Sequence, residues 1–270
     1  MQPDTTPMTD SFRARCLCTT FAIAVAVNCP APASGQTLIP RTVKARAAVP
    51  TTPAPKVSRA FSGLFRDTVT DFRSLASTKP LTILGIGAVA AAAARTADGS
   101  MTETLSRQRA GFLDAGETVG SARFQLAGAL ATFAVGHITG NAKVTAVGGD
   151  LVRANIVAQT LTGSIKMSVR RGRPDGTEFS FPSGHTSVSF ASATVLQRHF
   201  GWKVGVPAYA AASYVAASRI HDKRHFLSDV AFGAAVGIVS GWTVTVGHGD
   251  ARVTMAPVAS PGGGGVALTW

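Results

Sequence analysis

Residues 81–94, LTILGIGAVAAAAA, carry no charge and are dominated by alanine and glycine. A run of that kind constrains the chain strongly, because alanine is the best helix former and small side chains let helices approach closely. Ahead of it, Phe61, Leu64, Phe65, Val69, Phe72 and Leu75 recur at three- and four-residue steps, the period of an amphipathic helix. Pro80 opens the second helix, which ends near Arg95, and the polar, glycine-containing stretch 96–120 reads as a loop or short helices. Further helical stretches are expected at about 121–139, 144–172, 186–200, 203–219 and 225–246. No apolar–polar alternation of period two appears in this body, and no internal repeat. The expected fold class is all-α, a bundle of six to seven helices.

The ends differ in composition. Cys16, Cys18 and Cys29 all precede residue 30, where Arg13 and Arg15 lead an apolar core over 17–27 and Ala31-Pro32-Ala33 supplies small residues for cleavage. This pattern reads as a secretory signal peptide over 1–33, and the apolar core is short for a membrane-spanning anchor. The chain is then expected to be exported to the bacterial cell envelope, periplasmic or associated with the inner membrane. Its mature part lacks cysteine, so neither a disulfide nor a thiolate enters the reading. Residues 34–60, rich in proline and threonine, are expected to form a disordered linker. The helical domain takes 61–247, and 248–270 is expected to be an irregular tail whose end is compatible with a short strand.

The uncharged runs 124–142 and 230–249 have 19 and 20 residues, enough to cross a bilayer. They are built of Ala, Gly, Ser and Thr rather than Leu and Phe, which favours a membrane-proximal globule. The net charge of +12 points to phosphate-bearing partners or an anionic membrane surface. Nucleic acid does not fit: there is no long basic run, zinc-finger spacing or basic aromatic motif.

Three short stretches carry chemistry. In KMSVRRGRP, Lys166 and Arg173 stand seven residues apart, close to two helical turns, so both cations would share one face roughly 10 Å apart. A solvated basic helix end explains that pair equally well. In PSGH, Ser183 and Gly184 precede an apolar helix, where free N–H groups can hold an anion. An ordinary N-cap also explains Ser183, but it leaves His185 without a purpose. Beside an anion, that imidazole could protonate a departing oxygen. In SRIHDKRHFLSD, Ser218 and Arg219 close one helix, and His225 and Asp229 stand four apart at the start of the next. A carboxylate at that spacing can hold one imidazole nitrogen and leave the other as a nucleophile, although such pairs are more often structural. His221 and Asp222 fall in the turn and read as structural. Taken together, three cations, an anion nest and two histidines suit phosphoryl transfer, with the cations on the equatorial oxygens. No cofactor or metal is expected, since no carboxylate cluster is there to bind one.

The pattern K-x6-RP, PSGH, SR-x5-H-x3-D resembles the three-part signature of the type 2 phosphatidic acid phosphatase/haloperoxidase superfamily. Lys166, Arg173 and Pro174, then Pro182 to His185, then Ser218, Arg219, His225 and Asp229 fill its positions. The resemblance implies a helical bundle in which His225 forms a phosphohistidine, His185 is the general acid and Asp229 orients His225. Lys166, Arg173, Ser183, Gly184 and Arg219 would cradle the phosphate. The implied activity is metal-independent hydrolysis of phosphomonoester or pyrophosphate substrates, small or lipid-linked. Two alternatives stand beside it. One is a vanadium-dependent haloperoxidase, whose known members are generally longer chains. The other is a non-catalytic anion-binding envelope protein, which would need neither an acid nor an oriented nucleophile.

Overall fold

Glycines on one helix set how closely the bundle packs at its centre. In the helix Leu227–Thr245 they recur every four residues, at Gly233, Gly237 and Gly241. A Cβ at Gly237 would lie 2.3 Å from the Ser187 carbonyl oxygen, and one at Gly241 2.6 Å from that of Ala191. This helix therefore rests directly on the backbone of the helix Gly184–Phe200. Nothing larger than glycine leaves the spacing unchanged.

The structure, a computed structural model, describes residues 57–108, 110–246, 254–260 and 263–269. Its helices are α1 (Val57–Ser74), α2 (Thr78–Ala94), α3 (Asp98–Ser106), α4 (Ala115–Val119), α5 (Ala122–Thr139), α6 (Ala142–Val169), α7 (Gly184–Phe200), α8 (Trp202–His221) and α9 (Leu227–Thr245). Seven are long, as the periodicity indicates, and the short α3 and α4 occupy the stretch read as loop or short helices. The expected signal peptide, 1–33, and residues 34–56 of the expected linker lie outside the described residues. At 57–60 the expectation fails: α1 starts at Val57, because the last proline of that stretch is Pro55 and the helical pattern runs back past Phe61.

Local signals mark most helix ends. Ser121 Oγ accepts the Phe124 N–H at 3.2 Å at the start of α5, and Asn141 Oδ1 accepts that of Val144 at 3.2 Å for α6. Gly140, with φ 67°, closes α5 and turns the chain into α6. The core cluster joins Ala154, Val157 and Ala158 of α6, Val188, Ala191 and Val195 of α7, and Val244 of α9. Full burial of each valine contributes about 1.5 kcal/mol.

Two further expectations need correction. The tail is not irregular throughout: β1 (Thr254–Ser260) and β2 (Gly263–Thr269) pair antiparallel, Thr254 opposite Thr269 and Ser260 opposite Gly263. The helical segments long and apolar enough to cross a membrane also differ from those expected. Among the described residues they are Thr78–Ser106 and Leu227–Thr245, so of the two expected runs 230–249 finds a counterpart there and 124–142 does not. The second is mostly packed inside the bundle. The first is mostly exposed, with Leu81, Ile86 and Val89 turned outward on α2.

Candidate active site

The polypeptide between α6 and α7 brings the first two signature stretches together. α6 stops at Val169 because Arg170 takes a left-handed conformation, φ 48°, and returns its N–H to the Lys166 carbonyl at 3.0 Å. Lys166 therefore sits in the last helical turn while Arg173 lies in the following loop. The expected shared helical face is not formed, since Gly172 and Pro174 disfavour continuation of the helix. Lys166 Nζ donates to the Phe179 carbonyl at 2.6 Å, and Phe179 itself is left-handed, φ 64°. Arg173 Nε is buried with no hydrogen-bond partner among the described residues. An unsatisfied guanidinium donor of this kind is costly unless an anion takes it.

Ser183 is the N-cap residue of α7 by position, but its side chain caps nothing, unlike Ser121 in α5. Its Oγ accepts from Thr186 Oγ1 at 3.0 Å, so the first-turn N–H groups of α7 are not taken up by it. The ordinary capping explanation of PSGH is thus set aside for this serine. The Ser183 N–H donates to the Asp229 carbonyl at 3.1 Å, which ties the nest to α9. Apart from its chain neighbours and its own helix backbone, the nearest atom to a Cβ at Gly184 would be Thr162 Cγ2 at 3.7 Å, so this side of the turn is loosely packed.

At the third stretch, Arg219 is 1% exposed, and its carbonyl accepts the N–H groups of both Arg224 and His225. The turn carrying His225 is thereby anchored to the arginine beside it. His225 lies before α9 rather than on it, because the helix begins at Leu227 with Phe226 as N-cap. Asp229, in the first turn, accepts the Phe226 N–H at 2.8 Å, and its Oδ2 lies 3.8 Å from His225 Nδ1. That is ion-pair distance, and Nδ1 has no hydrogen-bond partner among the described residues.

Burial lowers the pKa of His225, and Lys166 and Arg173 add to this against the pull of Asp229. The resting imidazole is therefore neutral, as a nucleophile requires. His185 donates to the Glu117 carbonyl, and its pKa is lowered to about 4, first by burial and then by Arg219 and His225. A phosphate dianion placed beside His185 would push this value back up.

Sequence reasoning missed several neighbours. Asp222, read as a turn residue, takes Arg219 Nη2 as well as His221 Nδ1, and Glu117 Oε2 lies 3.8 Å from Arg219. Ser180 Oγ donates to Asp229 Oδ2, and Arg171 Nη1 donates to Asp229 Oδ1 at 2.7 Å. Arg171 lies among three nearby arginines of which the spacing selects one, and Asp98 of α3, its other partner, has no motif around it.

The constellation lies within a recognised family segment. Residues 148–252 match the model of the PAP2 superfamily, and all three signature stretches fall inside it. Over those residues the chain is similar to the PAP2 superfamily. It is similar to a lipid A 1-phosphatase of Porphyromonas gingivalis, 41% identical over 101 residues, 34% of this chain and 23% of that protein. It is also similar to a probable diacylglycerol pyrophosphate phosphatase of Schizosaccharomyces pombe, 38% identical over 79 residues, 24% of this chain and 28% of that one. The matches span about a quarter of each relative. Among solved structures, LpxE of Aquifex aeolicus aligns at TM-score 0.48 and 22% identity, over 55% of this chain and 94% of that one. A transmembrane PAP2-type phosphatidylglycerolphosphate phosphatase of Bacillus subtilis aligns at 0.45 and 19%, over 68% and 94%.

Proposed function

We propose that the PAP2-like domain is a metal-independent phosphatase working through a phosphohistidine on lipid-linked phosphomonoesters or pyrophosphates. The observation that carries this reading is a neutral, buried His225 between a fixed carboxylate and a cradle of cations and helix-start N–H groups. The unpartnered Arg173 Nε and the uncapped first turn of α7 are donors of the kind a phosphoryl group needs.

In the proposed reaction, Lys166, Arg173 and Arg219 hold the non-bridging oxygens together with the Ser183–Gly184 turn. His225 attacks with the nitrogen turned away from Asp229, forming a P–N bond as the bond from phosphorus to the leaving oxygen breaks. The electron pair of that bond leaves with the oxygen, which takes the proton of His185. Asp229 stabilises the imidazolium by meeting its Nδ1–H, a closure of about 1 Å from the 3.8 Å resting distance. Water then attacks phosphorus, giving its proton to His185, and the P–N bond breaks to return neutral His225 and phosphate.

The names of the two sequence relatives, both lipid phosphatases, support a lipid-linked substrate. So do the exposed apolar side chains of α2, a surface that suits a bilayer. In this reading the chain is exported and its site works at the envelope membrane. The test is hydrolysis of lipid phosphates and of soluble phosphomonoesters by purified protein, in detergent and after reconstitution. Activity on the lipid that survives EDTA and is inhibited by vanadate is expected. Activity lost to EDTA and restored by a divalent metal overturns the mechanism, and bromide oxidation with bound vanadate overturns the activity.

A further inference from the structure

The signature leaves Arg171 unassigned, yet its guanidinium is placed against the carboxylate that faces His225. Nη1 donates to Asp229 Oδ1 and to Ser228 Oγ, each at 2.7 Å, while Nη2 donates to Asp98 Oδ2 at 2.7 Å. Asp98 also accepts the Ser228 N–H at 2.8 Å and its hydroxyl at 2.7 Å, which fixes the start of α9 to α3. The plane of Arg171 lies over the Phe226 ring, 4.3 Å from its centre, so the fork has little freedom to turn. The Arg171 carbonyl accepts the Ser180 N–H at 2.7 Å, and Ser180 Oγ in turn donates to Asp229 Oδ2. With both ends of its fork on carboxylates, Arg171 is not one of the cations free for phosphate.

We infer that Arg171 and Asp98 are positioning residues for the proposed reaction: they hold Asp229 so that Oδ2 faces His225 and set the charge His225 experiences. The inference rests on the nucleophile assigned above. It extends the working site to α3, which lies before the segment 148–252 matched by the family. A tie that merely fastened α3 to α9 would leave the proton affinity of His225 alone, whereas a positioning pair changes it in opposite directions. Removing the Arg171 cation makes the imidazolium easier to form. Removing the Asp98 carboxylate leaves more of the Arg171 charge uncompensated and makes it harder. The other charges facing His225 are Lys166 from α6, Arg173 from the loop, Asp229 from α9, Arg219 from α8 and His185 from α7. All of these stay in place in the variants.

The test is ¹⁵N NMR titration of histidine-labelled full-length protein, with the His225 signal assigned through His225→Gln, alongside the pH dependence of kcat/KM. Arg171→Met is expected to raise the His225 pKa by about one unit and move the acid limb of kcat/KM upward by the same amount. Asp98→Asn moves both downward, and Arg171→Lys recovers most of the wild-type value because it restores the charge without the fork. An unmoved His225 pKa in Arg171→Met or in Asp98→Asn, or a shift of the same sign in the two, overturns the inference. Should Arg171→Met fail to fold, Asp98→Asn still decides it, by a downward shift or by its absence. Wild-type protein inactive on every phosphate ester would instead sink the phosphatase reading, and the NMR shifts would still report on the positioning pair.

Discussion

Substituting Gly233 by alanine tests how tightly the α7–α9 contact holds the Ser183–Gly184 turn proposed to bind phosphate. A Cβ there would lie 2.8 Å from the Ser183 carbonyl oxygen, where ordinary contact begins at 3.4 Å, so ~0.6 Å must be found by moving backbone. Overpacking of this kind costs about 1–3 kcal/mol, and alanine returns about 1 kcal/mol through helix propensity. The net expectation is a loss of up to ~2 kcal/mol. The functional effect is larger than the stability alone suggests, because the displaced atom belongs to the N-cap residue of α7. A 1 Å misplacement of catalytic groups costs about 10²-fold, so ~0.6 Å implies a fall in kcat of roughly tenfold. Gly128→Ala is the control, since nothing lies within 4 Å of a Cβ there and the same chemical change should stabilise α5 by about 1 kcal/mol. Thermal unfolding in detergent and kcat on one substrate read both effects. If Gly233→Ala unfolds at or above the wild-type temperature with unchanged kcat, the contact does not position the nest.

His185→Ala should depress hydrolysis of an alkyl phosphate far more than that of p-nitrophenyl phosphate, whose leaving group hardly needs a proton; equal losses would remove His185 from the acid role. The basic limb of kcat should lie above that of kcat/KM, because kcat/KM senses His185 at its lowered pKa of about 4 in the free site and a bound phosphate raises it. Superimposed basic limbs would contradict that. Arg153→Leu should destabilise the protein by about 3–5 kcal/mol, since it leaves Asp71, paired to Arg153 at 2.7 Å, without its cation in the core and Asp150, paired to it at 2.5 Å, with His199 alone; a fall below 1 kcal/mol in equilibrium unfolding would show the cluster to be solvated.

The helices were legible because alanine-rich uncharged runs and three- and four-residue periodicity are local signals. The same locality explains what was misread. The spacing of Lys166 and Arg173 suits a helix, but a left-handed Arg170 ends α6 between them, and no residue type announces that conformation as glycine would. His225 and Asp229 keep the spacing expected of them but straddle a helix start, since α9 is opened by Phe226 and not by a serine or aspartate. The signature residues were visible because their order and spacing are unusual. Asp98 was not, because its bonds to Arg171 and Ser228 reach 73 and 130 residues along the chain. Such long-range pairing leaves no trace in a window of neighbouring residues.

The central claim is covalent attack by His225 on phosphorus. Wild-type protein mixed with ³²P-labelled substrate should be quenched during turnover, kept alkaline to preserve P–N bonds, and digested for mass spectrometry. The account predicts one acid-labile phosphate, carried by the peptide that contains His225, and none in His225→Ala protein of wild-type helical content. Label on any other residue, or full turnover by His225→Ala, contradicts it.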